Sequence, residues 1–67
     1  MSTAHLVKMA NQISASVPDR ASVPEQTAAH LKTFWTPSMI AALAAHTRER
    51  PDAVEPSVLT ALELLRS

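Results

Sequence analysis

The most informative part of the sequence is His30-Leu31-Lys32-Thr33-Phe34-Trp35-Thr36-Pro37-Ser38-Met39, which contains a histidine, a proline and both the phenylalanine and the tryptophan of the chain. The residue before a proline is disfavoured in the α region, so Thr36 should end one helix. Its hydroxyl can then cap a second helix that has Pro37 at its first position. The stretch therefore predicts a rigid corner between two helices, with Trp35 at the bend.

The rings in this stretch should differ in burial. Neighbouring side chains on an α-helix diverge by about 100°, so only one of Phe34 and Trp35 can point to the centre of the domain. We expect Phe34 to lie inside and Trp35 to lie at the corner, partly accessible. His30 precedes Phe34 by one turn, and we expect its ring to pack on Phe34 and to donate a hydrogen bond to a backbone carbonyl. We favour this structural role over a role as a ligand.

The remaining sequence predicts an all-α fold, a small single-domain bundle of three to four short helices over residues 1–67. Glycine is absent, and no alternating β-branched run with hairpin signals is present. Apolar residues recur at three- and four-residue steps in four segments, about residues 3–16, 22–35, 37–48 and 56–66. Ser22 and Glu25 have the spacing of a capping box at the start of the second segment. The predicted apolar faces are Leu6, Met9, Ala10, Ile13 and Val17; Ala28, Leu31, Phe34 and Trp35; Met39, Ile40, Leu43 and Thr47; and Val58, Leu59, Leu62 and Leu65.

The size and the charge of the chain restrict how it can be stabilised and which partners it can bind. A domain of 67 residues has a core that rarely supplies more than about 3 to 5 kcal/mol. Because the chain lacks cysteine, disulfides and thiolate metal sites are excluded, and association with another molecule is the expected source of further stability. Six basic and six acidic residues cancel, so the chain lacks the positive field that nucleic acid or an anionic membrane surface requires.

The distribution of apolar residues indicates a cytoplasmic protein. The longest apolar run, residues 39–45, is far too short to span a membrane. Residues 1–16 lack the uninterrupted apolar run of a signal peptide, because Lys8, Asn11 and Gln12 interrupt it. We therefore expect neither a membrane nor a nucleic acid among the partners.

The titratable residues do not form a pattern that indicates catalysis or a metal site. His5, His30 and His46 lack the close spacing of a helical zinc pair. The six carboxylates are scattered through turns and helix ends, where capping and solvation explain them. We expect no enzyme activity, no cofactor and no metal. For Asn11, an amide in the middle of a helix, plain solvent exposure and specific hydrogen bonds across an interface remain equally good alternatives.

Two short motifs resemble one protein family. The first motif is Leu6-Val7-Lys8-Met9-Ala10-Asn11-Gln12-Ile13, and the second is His30-Leu31-Lys32-Thr33-Phe34-Trp35, followed by Pro37 and Met39. Together they resemble the small delta subunit of bacterial NAD-dependent, molybdenum-containing formate dehydrogenase. The resemblance extends to about Leu43 and weakens after it, although the last, proline-led leucine helix also looks like the family. The family commonly has an acidic residue at the position of Thr36 and an arginine at that of Ser38, so contacts made by those family residues are not carried over.

The resemblance implies a non-catalytic accessory subunit that supports the assembly or stability of the complex. Other subunits of such a complex carry the molybdenum cofactor, iron-sulfur clusters and flavin, and the chain itself would bind the catalytic subunit. The alternative is a self-associating helical module, a homodimer closed by the extra apolar residue Leu64. A helix-turn-helix DNA binder is disfavoured, because residues 37–45 contain no arginine or lysine. The predicted partner-binding residues are Met9, Asn11, Gln12, His30, Phe34, Trp35, Pro37 and Met39.

Overall fold

Four α-helices make up the structure, a computed structural model that describes residues 2–66. They are α1 (Thr3–Ser16), α2 (Val23–Phe34), α3 (Pro37–Glu49) and α4 (Pro56–Arg66), with short 3-10 helices at Arg20–Ser22 and Pro51–Ala53. No strand occurs among the described residues. This architecture confirms the all-α class, and α1 and α4 have the predicted bounds.

The corner between α2 and α3 forms as the sequence predicts. Thr36 has an extended backbone (φ −74°, ψ 156°), which the following proline imposes. Its hydroxyl accepts a hydrogen bond from the Met39 backbone N–H at 3.2 Å, and Pro37 occupies the first turn of α3. Phe34 is the last residue of α2. Two residues, Trp35 and Thr36, therefore connect the two helices.

The predicted capping box at the start of α2 is wrong. Ser22 precedes α2, but its side chain makes no capping hydrogen bond to that helix. Because the 3-10 helix leads directly into α2, Ser22 has φ −113° and ψ 19° instead of the extended backbone of a capping residue. Its hydroxyl instead donates to the Asp19 carboxylate at 3.1 Å and accepts from the Gln26 amide at 3.2 Å.

The core lies where α2 packs against α4 and α1 crosses α2 and α3. The central residue of each predicted apolar face is buried, and small side chains at Ala10 and Ala61, both fully buried, allow the helices to approach closely. Leu64 is 43% exposed, as expected for the residue outside the stripe of α4. Three buried apolar residues were not on the predicted faces, namely Val23, Ala61 and Val54 in the loop before α4. The main core cluster consists of Leu6, Ala10, Leu31, Trp35, Leu43, Val54, Val58 and Leu62.

The Asn11 side chain joins α1 to the loop before α4. Its amide nitrogen donates to the Ala53 carbonyl at 3.2 Å, and its amide oxygen accepts from the Glu55 N–H at 2.9 Å. A second link between these helices is a hydrogen bond between the hydroxyls of Ser14 and Ser57. The Asn11 amide thus makes a specific hydrogen bond at each of its ends, and both bonds lie within the chain.

We predict that Asn11→Ala lowers the free energy of unfolding by about 1 to 2 kcal/mol, since it removes two hydrogen bonds that fix the loop. Thermal or denaturant unfolding followed by circular dichroism measures this loss. Gln12→Ala is the matched control, because Gln12 is exposed on the next position of α1. An equal effect of the two substitutions would show that the loop does not depend on the Asn11 amide.

Thr27 in α2 is fully buried, and its hydroxyl has no hydrogen-bond partner among residues 2–66. A buried polar group without a partner is costly, so we predict that Thr27→Val raises the free energy of unfolding by about 1 kcal/mol. Thr47 is the control, because its hydroxyl donates to the Ala44 carbonyl at 2.8 Å. Thr47→Val should destabilise the chain, and opposite signs for these two isosteric changes in denaturant unfolding are the expected result.

Candidate functional site

An open groove of about 410 Å³ runs between α1 and the corner that follows α2. One wall is formed by the outer residues of α1, and the other by the end of α2 and the start of α3. We call it the aromatic groove. The residues that line it are Met9, Gln12, Ile13, Ser16, His30, Phe34, Trp35 and Met39.

This groove brings together six of the eight residues predicted to bind a partner, namely all except Asn11 and Pro37. Asn11 bonds to the loop before α4, and Pro37 lines a separate groove between α2, α3 and α4. Ile13 and Ser16 line the aromatic groove but were not predicted as site residues. A signal for Ile13 was available, because it lies one turn after Met9 on the same face of α1.

The burial predicted for the two aromatic residues is wrong, because the structure reverses it. Phe34 is 71% exposed, whereas Trp35 is only 6% exposed and belongs to the core cluster. The expected divergence of neighbouring side chains on a helix does not apply here, because α2 ends at Phe34 and Trp35 has an extended backbone (φ −99°, ψ 146°). That conformation turns the indole under the corner into the core. An indole buries more apolar area than a phenyl ring, which favours this arrangement.

The exposed Phe34 ring packs against His30 one turn earlier. The two ring centroids are 4.7 Å apart, and the ring planes are inclined by 42°. This contact confirms the predicted packing. The predicted hydrogen bond from His30 to a backbone carbonyl does not occur within residues 2–66. The ring contact restricts the rotamers of Phe34, whose apolar side chain lies largely outside the fold.

The aromatic groove is suited to binding an apolar side chain of another molecule. Its walls include Met9 and Met39, whose flexible thioether side chains adapt to irregular shapes. Gln12 and Ser16 supply polar groups at its edge, and none of the lining residues is Asp, Glu, Lys or Arg. No group of three His, Asp or Glu side chains that could hold a metal ion occurs within the described part of the chain.

A model of a known protein family matches most of the chain. A family model described as NADH-dependent formate dehydrogenase delta subunit FdsD matches residues 5–62. The match covers both sequence motifs and most of α4, well beyond Leu43. Neither a curated protein nor a solved structure matches the chain. No helix within residues 2–66 has the length and apolar character needed to cross a bilayer.

Proposed function

The chain belongs to the family of NADH-dependent formate dehydrogenase delta subunits, and from this premise we propose that it is a non-catalytic accessory subunit of the cytoplasmic complex. In this proposal the aromatic groove binds the molybdenum-containing catalytic subunit and supports the assembly or stability of the complex. The observation that carries it is the exposure of Phe34, a large apolar side chain that is held in place by His30 beside an adaptable groove.

Phe34 has the properties of an interface anchor. Few residues dominate the affinity of a typical interface, and they are bulky side chains near its centre, surrounded by contacts that exclude water. Phe34 is 71% exposed and lies beside the groove formed with α1. Burying it in a partner would remove most of its apolar surface from water, and its contact with the His30 ring reduces the entropy lost on binding.

The polar groups around the aromatic groove are suited to the solvent-exposed rim of a protein–protein interface. Gln12 and Ser16 can make hydrogen bonds at the edge of an interface while Met9 and Met39 adjust to the shape of the partner. Because no full charge lines the groove, we expect binding at this surface to depend little on salt. Its specificity would come from shape and from these hydrogen bonds.

Binding alone is enough to support a larger subunit. A ligand that binds only the folded state of a protein stabilises that state by about 2.7 kcal/mol when its free concentration is 100 times Kd. A small helical subunit can therefore shift a catalytic subunit toward its assembled form without taking part in the reaction. This mechanism requires no cofactor on the delta chain.

The decisive experiment is a tagged copy of the chain expressed from its own locus in the native host. We expect the tag to recover the catalytic subunit of formate dehydrogenase in a defined ratio. Deletion of the chain should lower formate oxidation in cell extracts, and re-expression should restore it. The proposal would be refuted if the tag recovered no formate dehydrogenase subunit and the deletion left formate oxidation unchanged.

The purified chain provides a second test. Incubated alone with formate and NAD, it should produce no NADH. Turnover by the isolated chain would refute the non-catalytic role while leaving family membership intact.

A further inference from the structure

A second groove, of about 660 Å³, lies between α2, α3 and the end of α4. Its floor consists of alanine side chains from α2 and α3 together with Ile40, Leu64 and Leu65. We call it the cationic groove, because the charged residues that line it are Lys32, Arg48 and Arg66.

The charge at this groove has a single sign. Three of the six basic residues of the chain line it, and none of the six acidic residues does. Each of the three lies in the last turn of its own helix, where a cation opposes the negative end of the helix dipole. A favourable interaction with a helix dipole does not explain why the ends of three helices lie at one apolar groove.

We propose that the cationic groove binds an acidic amphipathic helix of another protein. The apolar face of that helix would lie on the alanine floor, and carboxylates along its edges would pair with Lys32, Arg48 and Arg66. Arginine is well suited to this pairing, since its guanidinium can bind a carboxylate through two hydrogen bonds. The proposal goes beyond the function assigned to the aromatic groove and does not depend on which protein fills that groove.

The dimensions of the groove fit a short helix. Its wall on α3 extends from Pro37 to Arg48, which corresponds to about 16 Å at a rise of 1.5 Å per residue. This length matches about three turns of a bound helix, a common mode of peptide recognition in apolar grooves. Alanines at positions 28, 29, 41 and 44 leave room for a helix to approach closely.

A second copy of this chain is not expected to bind in the cationic groove. A symmetric dimer places the same patch of both subunits face to face. At this groove it would bring Lys32, Arg48 and Arg66 of one copy toward the same cations of the other, which is repulsive. The exposed Leu64 lies on this same groove, so the homodimer suggested by that residue would meet this repulsion. We expect the isolated chain to remain a monomer.

The test uses the full chain, labelled with nitrogen-15, and two synthetic helical peptides of fourteen residues that differ only in charge. Both carry leucine on one face, and their flanking positions are glutamate in one peptide and lysine in the other. At low salt we expect the glutamate peptide to shift the amide resonances of Lys32, Ile40 and Arg48, and the lysine peptide to shift none. Equal binding of both peptides, no binding, or shifts confined to the aromatic groove would overturn the proposal.

A charge-reversed variant tests the named side chains. The double substitution Lys32→Glu, Arg48→Glu should raise the Kd for the glutamate peptide about tenfold or more, and the difference should shrink at high salt. The matched control is Lys8→Glu, Arg50→Glu, which changes the net charge equally but lies outside the groove. Thermal unfolding checks that both variants fold. An unchanged Kd in the first variant, or an equal rise in both, would contradict the proposal.

Two further results separate this proposal from the function of the aromatic groove. Phe34→Ala should leave the peptide titration unchanged, because Phe34 does not line the cationic groove. In the complex recovered with the tagged chain, a zero-length carbodiimide should couple Lys32, and not Lys8, to a carboxylate in a helix of another subunit. Coupling at Lys8 without coupling at Lys32 would count against the cationic groove alone.

Discussion

Trp35→Ala should unfold the isolated chain at 25 °C. Trp35 is 6% exposed and packs in the cluster that contains Leu31, Leu43 and Val58. Truncating a buried aromatic side chain to alanine typically costs about 3 to 5 kcal/mol, and a core of this size supplies about as much in total. Circular dichroism should show loss of the cooperative thermal transition, and one-dimensional NMR should show loss of dispersed methyl resonances.

A conservative variant distinguishes a packing role for Trp35 from a role in binding a partner. Trp35→Phe retains much of the apolar volume, so it should fold with a lowered midpoint of thermal unfolding. Phe34→Ala is the matched control at the neighbouring position, and because Phe34 is mostly exposed its removal should shift the midpoint little. A Trp35→Ala chain that stays folded and loses only its affinity for a partner would place the indole in an interface instead of the core.

Phe34→Ala should weaken binding to the catalytic subunit by about 2 kcal/mol or more, which corresponds to roughly a thirtyfold rise in Kd. The reason is that the phenyl ring, held by His30 at 4.7 Å between centroids, is the largest exposed apolar group at the aromatic groove. Isothermal titration calorimetry with the purified catalytic subunit measures the change. The Kd of the unaltered chain should vary little between low and high salt, because no full charge lines this groove.

Thr33→Ala is the control for this measurement. Thr33 is exposed and adjacent to Phe34, and its hydroxyl donates to the Ala29 carbonyl within α2. It lines neither groove, so its substitution should leave affinity unchanged. If Phe34→Ala and Thr33→Ala bind as well as the unaltered chain, the aromatic groove is not the docking surface.

Much of the candidate site was predictable because its motifs are local. The contact between His30 and Phe34 follows from their spacing of one helical turn, and Thr36 caps α3 because Pro37 fixes the backbone before it. Met9 and Gln12 line the aromatic groove together with His30 and Phe34. The family resemblance, which rests on the same two segments, is confirmed by the match over residues 5–62.

Other features could not be predicted, since they depend on residues far apart in the sequence. The Asn11 amide binds atoms more than 40 positions away in the loop before α4. Val54 is buried because that loop folds back onto α1 and α3, whereas its proline-bounded sequence indicates only an irregular connection. No pattern within a single segment carries this information.

The four helices and the corner at Thr36-Pro37 could be predicted from the sequence, because backbone restriction, capping and apolar periodicity act within about four residues. The family could be predicted from two short motifs, since a resemblance between sequences does not depend on packing. The burial of Trp35 and the exposure of Phe34, in contrast, follow from the packing of the helices. The direction of the indole depends on the extended backbone beyond the last turn of α2 and on packing in a core cluster that includes Leu6, Leu43 and Val58 from the other three helices. Burial is a property of packed elements, so the position of these two neighbours was fixed only when all four helices came together.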